Sequence, residues 1–222
     1  MKRTKLSERQ LPNYTYGEEL MNMITHIVGG AAGIIMFVMC TIKSIQSNNG
    51  FTILSAVIYG ISIISVYTIS SIYHGLRSGH GKKVLQVIDH CMIYLLIAGT
   101  YTPILINAFI PTYPVIGYGL LIFQWSVGIM AAILTAIDLK TFKVFSMICY
   151  ILMGWSVIIF LPQALTVLGD GFLFILWGGI AYTVGAILFG IGAMVHWIHA
   201  IFHIFVILGS ILQFLGIYIY VL

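Results

Sequence analysis

Two long stretches of this chain carry no charged side chain, and they constrain its fold more than any other feature. One covers the 48 residues from 90 to 137, and the other covers the 52 residues from 171 to 222. Charged residues make up only 7% of the chain, whereas soluble domains carry about 25%. A water-exposed surface cannot be built from so few charges, so most of this chain must face lipid.

A helix needs about 20 apolar residues to cross a bilayer, and charges, prolines and polar turns divide the chain into seven such segments. We expect the first charge-free stretch to break at Asn107 and at 111–114, because proline ends a helix. We expect Pro162 to end the fifth span and the second stretch to break around 190–192. The predicted fold is all-α, a polar segment at 1–19 followed by a seven-helix transmembrane domain at 20–222, with spans near 20–42, 51–73, 87–107, 115–137, 144–161, 172–189 and 196–220.

The lysines and arginines predict the orientation of these spans, because cytoplasmic loops carry an excess of both residues. If the N-terminus is cytoplasmic, nine basic residues lie inside and only Lys43 lies outside. We therefore predict a cytoplasmic N-terminus and a C-terminus on the outer side of a cell membrane. The nine residues are Lys2, Arg3, Lys5, Arg9, Arg77, Lys82, Lys83, Lys140 and Lys143.

Other features of the composition exclude several classes of protein. The ten basic residues exceed the six acidic ones only slightly and cluster at helix ends, so we attribute them to topology and expect no nucleic-acid partner. Cys40, Cys91 and Cys149 lie far apart in apolar runs, which favours packing over disulfides. The polar segment at 1–19 is not a signal peptide, so we expect the spans themselves to direct the chain to the membrane. The GxxxG motif at 29–33 predicts close helix packing.

Ionisable residues inside spans are costly to bury, so each is a candidate for a functional site. His74 lies at the predicted cytoplasmic end of span two, with Ser70 one turn deeper on the same face. Asp89 lies near the cytoplasmic start of span three. His199 and His203 share a face at i and i+4 near the start of span seven. Three helices thus bring one carboxylate and three imidazoles to one depth.

This set of side chains is typical of a zinc site. Imidazole and carboxylate are ligands that Zn²⁺ prefers, and three histidine ligands leave a fourth position open for water, as in catalytic zinc sites. We predict His74, His199 and His203 as the ligands. We expect Asp89 to ligate through that water or to act as a base, and Ser70 to hydrogen-bond either group. The alternative is that the imidazoles only hydrogen-bond across helices.

The other polar residues of the spans are interpreted as structural. Glu19, Asn22 and His26 share one face of span one at i, i+3 and i+7, and we interpret them as a secondary polar network. His196 lies on a stripe similar to that of the later histidines but closer to the surface, where it is interpreted as an interfacial anchor. His90 is rotated about 100° from the preceding aspartate on a helix.

As an ordered set, these short motifs resemble the hemolysin III branch of the PAQR family, the progestin and adiponectin receptor proteins. The resemblance runs from about Tyr14 onward. It implies a seven-helix bundle with a cytoplasmic N-terminus, zinc ligands at His74, His199 and His203, and the family's aspartate and serine at Asp89 and Ser70. The motifs are Glu18-Glu19 with Asn22 and His26, Ser70-Ser71-Ile72-Tyr73-His74, Asp89-His90, Gly99-Thr100-Tyr101-Thr102-Pro103, and His199-Ala200-Ile201-Phe202-His203 followed by Gly209-Ser210.

The resemblance implies three functions that remain open. The wider superfamily includes the alkaline ceramidases, so the first is zinc-dependent hydrolysis of a lipid amide that enters from the inner leaflet. The second is a non-enzymatic membrane-homeostasis sensor or receptor with a structural zinc. The third is a pore-forming cytolysin, which the permanent spans disfavour.

The chain also departs from parts of the family pattern. Gln213 stands where many bacterial members carry a further histidine, which leaves the metal site intact. The long N-terminal region of the adiponectin receptors has no counterpart, so hormone binding is not implied. The short N-terminus and tight loops favour a bacterial plasma-membrane member.

Overall fold

The computed structural model describes residues 4–192 and 195–222. Within these ranges the chain forms helices and turns and no strand. Seven helices are long and apolar enough to cross a membrane, which confirms the predicted all-α, seven-span fold. They are α1 (Tyr16–Ile45), α2 (Gly50–Gly75), α3 (His80–Thr112), α4 (Pro114–Ile137), α5 (Lys143–Leu168), α6 (Gly171–Gly192) and α7 (Ile198–Tyr220).

The seven helices form a ring, in which α3 is the most deeply buried. Consecutive helices pack side by side, and α7 also packs against α1. In its most apolar window of 18 residues, α3 has 67% of its residues buried, compared with 28% for α4, α5 and α6. Large side chains such as Ile34, Ile122 and Ile133 are exposed on the outside of the ring. Their apolar surface is therefore free to face lipid.

The GxxxG motif of α1 packs directly against α2. A Cβ atom at Gly29 would lie 2.7 Å from the ring of Tyr67, and one at Gly33 would lie 2.6 Å from Ile63 Cγ2. A Cβ atom at either position would force the side chain of Tyr67 or Ile63 on α2 to move. The predicted close packing at this motif is confirmed.

The third span does not break where the sequence predicts. Asn107 lies inside α3, in a π-helical segment at Leu105–Phe109. Its side chain accepts a hydrogen bond from Thr52 Oγ1 at 2.6 Å and donates one to Ser55 Oγ at 3.0 Å, both on α2. Because these contacts satisfy the amide within the bundle, the predicted break at Asn107 is wrong. The helix ends before Tyr113.

Two later boundaries also differ from their predictions. Pro162 lies in the first turn of a helical segment at Leu161–Leu168, where proline removes no helical hydrogen bond. A 3₁₀ segment at Ser156–Phe160 precedes it, so α5 continues past the predicted end. The helix α6 extends through Gly192, and α7 begins at Ile198, two residues later than predicted.

Helix α1 begins at Tyr16, within the polar segment that the sequence places before the first span. Thr15 caps it, since the Thr15 Oγ1 accepts from the Glu18 backbone N–H at 3.3 Å and the Glu18 carboxylate accepts from the Thr15 backbone N–H at 2.9 Å. This capping box satisfies two N–H groups of the first turn. The preceding residues include a short 3₁₀ turn at Leu6–Glu8.

We refer to the end of the ring at which α1 begins as the amino-terminal end of the bundle. Because the helices alternate in direction, the basic residues other than Lys43 lie at this end, and Lys2 and Arg3 lie outside the described residues. The assignment of this end to the cytoplasm stays a prediction. The basic residues described there are Lys5, Arg9, Arg77, Lys82, Lys83, Lys140 and Lys143.

Candidate metal centre

Three buried histidines meet at the amino-terminal end of the bundle. His74 lies in the last turn of α2, and His199 and His203 lie in the first two turns of α7. One ring nitrogen of each lies within 4.8 Å of those of the other two. Zn–N bonds are about 2.0–2.1 Å long, so side-chain shifts of about 1 Å or less would let one ion contact all three rings. The structure therefore provides a possible metal-binding triad.

The hydrogen bonds of His74 leave its other ring nitrogen free for a metal. Its Nδ1 lies 2.7 Å from Glu19 Oε2, whereas its Nε2 is buried and has no hydrogen-bond partner in the described part of the chain. Glu19 Oε1 in turn lies 2.7 Å from Lys82 Nζ, and Lys82 donates to the backbone carbonyls of His74 and Leu76. A carboxylate bonded to the distal nitrogen of a histidine ligand is common at zinc sites, where it fixes the ring and raises its basicity.

The rings on α7 are arranged in a similar way. His203 Nδ1 lies 3.2 Å from both Thr25 Oγ1 and the Asn22 carbonyl oxygen on α1, so Nε2 is the nitrogen left for a ligand. His199 Nδ1 is buried without a partner among the described residues. Unpartnered buried nitrogens are costly, and coordination to a metal would satisfy them. The donor set fits zinc on these grounds.

The three polar residues of α1 contact the histidines rather than forming a network of their own. Glu19 bonds His74, as described above, and the Asn22 carbonyl contacts His203. The ring of His26 stacks on that of His203, with centroids 3.6 Å apart and planes at 17°. The Asn22 amide and both His26 ring nitrogens have no hydrogen-bond partner in the described ranges. Helix α1 therefore packs against the triad and contacts His74 and His203.

Ser70 and Asp89 lie beside the histidines on the wall of an apolar cavity of about 160 Å³. His199 and His203 line the same wall, and the rest of the lining is largely apolar and comes mainly from α3, α5, α6 and α7. The Ser70 hydroxyl and the Asp89 carboxylate therefore line the same cavity as these two rings. The structure thus places a carboxylate, a hydroxyl and two of the three imidazoles around one cavity.

A second and more polar cavity, of about 420 Å³, lies next to the apolar one. Asp89, His90 and His199 line both cavities. Residues of the segment Thr4–Tyr14 and of the loop between α4 and α5 form the other walls of the second cavity. The triad can therefore be reached both from an apolar side and from a polar side.

Tyr14 covers one histidine of the triad, and sequence reasoning missed this role. Its ring stacks on that of His199, with centroids 5.0 Å apart and planes at 28°. Partial burial raises the pKa of the Tyr14 phenol, and the carboxylates of Glu19, Glu18 and Asp89 raise it further, so the phenol is neutral at physiological pH. Tyr14 precedes the first helix, where no periodicity marks it as a site residue.

Three further histidines, besides His26, lie outside the triad. His196 is exposed in the turn before α7, where its Nδ1 lies 3.0 Å from Glu18 Oε2. His90 Nδ1 bonds the Gln86 carbonyl of its own helix at 2.7 Å. His80 is exposed at the first residue of α3.

Seven apolar helices around a buried histidine triad define a multi-pass membrane protein with a possible metal site. The family model of haemolysin-III-related proteins matches residues 14–214, and the chain belongs to this family. It is 35% identical over 206 residues to Hemolysin-3 of Bacillus cereus, covering 92% of both chains. It is also 35% identical over 175 residues to the Hemolysin-3 homolog of Bacillus subtilis (strain 168), covering 78% of this chain and 81% of that protein. These relatives and the seven helices indicate a bacterial plasma-membrane protein.

Proposed function

We propose that this chain is a zinc-dependent hydrolase that cleaves the amide bond of a membrane lipid, as a ceramidase does, and that it acts in membrane lipid homeostasis. The observation that carries the proposal is the buried histidine triad beside a largely apolar cavity that also holds Asp89 and Ser70. The apolar walls suit an acyl chain, and the three rings suit a zinc ion.

The residues of the cavity suit hydrolysis. His74, His199 and His203 would hold zinc, which when bound supplies a Lewis acid and makes water reactive at neutral pH. Asp89 accepts the proton that the attacking water loses and returns it to the departing amine as the C–N bond breaks. Ser70 orients the attacking water or steadies charge on the substrate oxygen. The products are a fatty acid and an amine.

The position of the cavity determines how a lipid would reach the site. Its walls are transmembrane helices, mainly α3, α5, α6 and α7. We therefore expect the substrate to enter sideways from the leaflet at the amino-terminal end, which the charge distribution predicts to be the inner leaflet.

Fatty-acid release from a defined amide lipid tests the proposal. Purified full-length protein in detergent is incubated with ceramide, and released fatty acid and bound zinc are measured in the same sample. We expect release by the wild type and a rate lower by about 10²-fold or more in Asp89→Asn with zinc retained. Zinc-loaded wild type that releases no fatty acid from ceramide or from N-acyl ethanolamine contradicts the proposal.

A second candidate is a membrane-homeostasis sensor in which zinc only holds the bundle together. The observation that favours it is that the triad joins α2 to α7, while Glu19 and Asn22 add α1 to the same cluster. The Asp89→Asn variant separates the two candidates. If cells that express it with zinc bound keep the wild-type lipid composition, the structural role is supported and the hydrolase is not.

A further inference from the structure

We infer that the second cavity binds a phosphate group. This cavity lies between the segment Thr4–Tyr14, the start of α3 and the loop that joins α4 to α5. This inference rests on the proposed function, which assigns the substrate an amide bond. It adds a phosphate group to that substrate.

The side chain of Arg9 carries the inference. Arg9 lines the second cavity and is only 8% exposed. Its Nε and Nη1 atoms are buried, and neither has a hydrogen-bond partner in the described part of the chain. A buried cation without a partner is costly. The planar guanidinium offers a fork of N–H donors that matches phosphate oxygens, so a phosphate in the cavity would satisfy both atoms.

The backbone on both sides of Arg9 is held in place. On one side, the Thr4 backbone N–H donates to Asp138 Oδ2 at 2.7 Å, which ties the segment to the end of α4. On the other side, the capping box of Thr15 and Glu18 fixes the start of α1. Arg9 itself ends a short 3₁₀ turn. The backbone is therefore anchored on both sides of Arg9. This anchoring lowers the entropy cost of ordering the guanidinium when a ligand binds.

The charges around the cavity favour an anion near Arg9. Lys140 and Lys143 line the cavity and are exposed, so they can turn toward a ligand. Two carboxylates, Glu8 and Asp89, also line it. Glu8 is exposed, and Asp89 lies on the wall shared with the apolar cavity. Three cations against two carboxylates leave an excess of positive charge.

The connection between the two cavities indicates the class of substrate. Asp89 and His199 line both cavities and lie beside the triad. A lipid with its acyl chain in the apolar cavity and its phosphate at Arg9 would pass its amide between them. The substrate class is therefore an amide lipid with a phosphate headgroup.

Lipid binding by native mass spectrometry tests this inference. Full-length protein carrying Asp89→Asn, which should slow turnover by about 10²-fold or more, is titrated with ceramide 1-phosphate and with ceramide of the same chain length. We expect ceramide 1-phosphate to bind more tightly by about tenfold or more, because its phosphate can accept charge-assisted hydrogen bonds from Arg9 that ceramide cannot. Adding Arg9→Gln should abolish that preference, and Arg77→Gln, which removes an exposed arginine outside the cavity, should preserve it.

Two further measurements complete the test. Lys143→Gln, on the exposed rim, should reduce the preference by less than Arg9→Gln does, which gives a second reading if Arg9→Gln is unstable. Titration with sodium phosphate shows whether the cavity binds free phosphate or the phosphate of a lipid. If free phosphate binds in an Arg9-dependent way and the two lipids bind equally, the anion site is supported. That result contradicts a lipid headgroup as the ligand of the site. Equal binding of both lipids with no binding of free phosphate overturns the inference, as does an equal effect of Arg9→Gln and Arg77→Gln. Because binding is measured without turnover, failure of ceramide hydrolysis leaves this result intact.

Discussion

The Glu19 carboxylate lies between a buried imidazole and a buried ammonium, 2.7 Å from His74 Nδ1 and 2.7 Å from Lys82 Nζ. Because Nδ1 is engaged in this way, the His74 ring presents Nε2 to the triad. Lys82 in turn reaches back to the backbone carbonyl of His74. Two residues from neighbouring helices thus hold the His74 ring in position.

We predict that Glu19→Gln weakens zinc binding by about 10–100-fold, the usual cost of losing a carboxylate behind a histidine ligand. Competition with a chromogenic chelator measures the affinity. Asp170→Asn serves as the control, since Asp170 is exposed at the other end of the bundle. Equal zinc affinity in Glu19→Gln and the wild type contradicts the positioning role.

Tyr14→Ala should speed the loss of zinc to a chelator, because the ring that stacks on His199 is removed and water gains access to the triad. Tyr16→Ala is the matched control, since Tyr16 is 84% exposed. The rate of zinc release in excess EDTA is the measurement. If both variants release zinc at the wild-type rate, Tyr14 does not shield the site.

The separate residues of the site differ in how far the sequence predicts them. The histidines of α2 and α7 can be placed at one depth because each lies in an apolar helix whose direction follows from charge bias. Tyr14 and Arg9 lie in a non-helical segment without periodicity, so only the folded chain shows that they line the site. In the sequence, Lys82 is interpreted only as one of the basic residues that set the orientation of the spans. Its contact with Glu19 depends on how α1, α2 and α3 pack.

The helices α1 and α7 are joined by a carboxylate that the charge pattern does not single out. Glu18 accepts a hydrogen bond from the Trp197 backbone N–H at 2.7 Å and contacts His196 in the same turn. Trp197 adopts a left-handed conformation with φ of 66°, which costs a non-glycine residue free energy. The Glu18 contacts offset that cost and fix the start of α7, on which His199 lies.

At the interface of α1 and α2, we predict that Gly29→Ala destabilises the protein by about 1–3 kcal/mol, because the new methyl group overlaps the Tyr67 ring. The midpoint of thermal unfolding in detergent measures the effect. Gly119→Ala is the control, since a Cβ there meets nothing within 4 Å, and it should be neutral or stabilising. Similar midpoints for the two variants contradict the close packing of α1 on α2.

The number and type of the helices follow from the apolar runs, whereas several boundaries do not. Proline and asparagine end isolated helices by local rules, but tertiary contacts override those rules here. Asn107 stays helical because α2 supplies partners for its amide. Pro162 does not end α5, because the 3₁₀ segment before it places the proline in the first turn of the next helical segment. Such partners are far away in the sequence, so no local pattern predicts them.

On the scale of the whole molecule, the segment before α1 forms one wall of the second cavity at the amino-terminal end of the bundle. It is tied to the end of α4 through Asp138, which accepts hydrogen bonds from the backbone N–H groups of Thr4, Lys140 and Thr141. These bonds, that from Thr4 foremost, hold the pKa of Asp138 well below its ordinary value of 3.8. The carboxylate is therefore ionised at neutral pH and anchors the segment over the second cavity.

Because the folded pKa of Asp138 is lowered, its contribution to anchoring is fully present above pH 3.8 and is lost as the pH falls through the lower folded value. We expect the protection of residues 4–15 against hydrogen exchange, taken relative to the intrinsic exchange rate at each pH, to fall in that acidic range. At neutral pH, Asp138→Asn should speed trypsin cleavage after Lys5 and Arg9, and Asp170→Asn should not. Unchanged cleavage in Asp138→Asn contradicts the anchoring role.

Zinc content decides whether the three histidines form a metal site. Purified wild-type protein, His203→Ala and His80→Ala are compared by elemental analysis after gel filtration, with His80 chosen because it is exposed at the start of α3. We predict about one zinc ion per chain in the wild type and in His80→Ala, since a tetrahedral site built on three histidines binds one ion, and almost none in His203→Ala. Equal zinc in His203→Ala and the wild type would contradict the site.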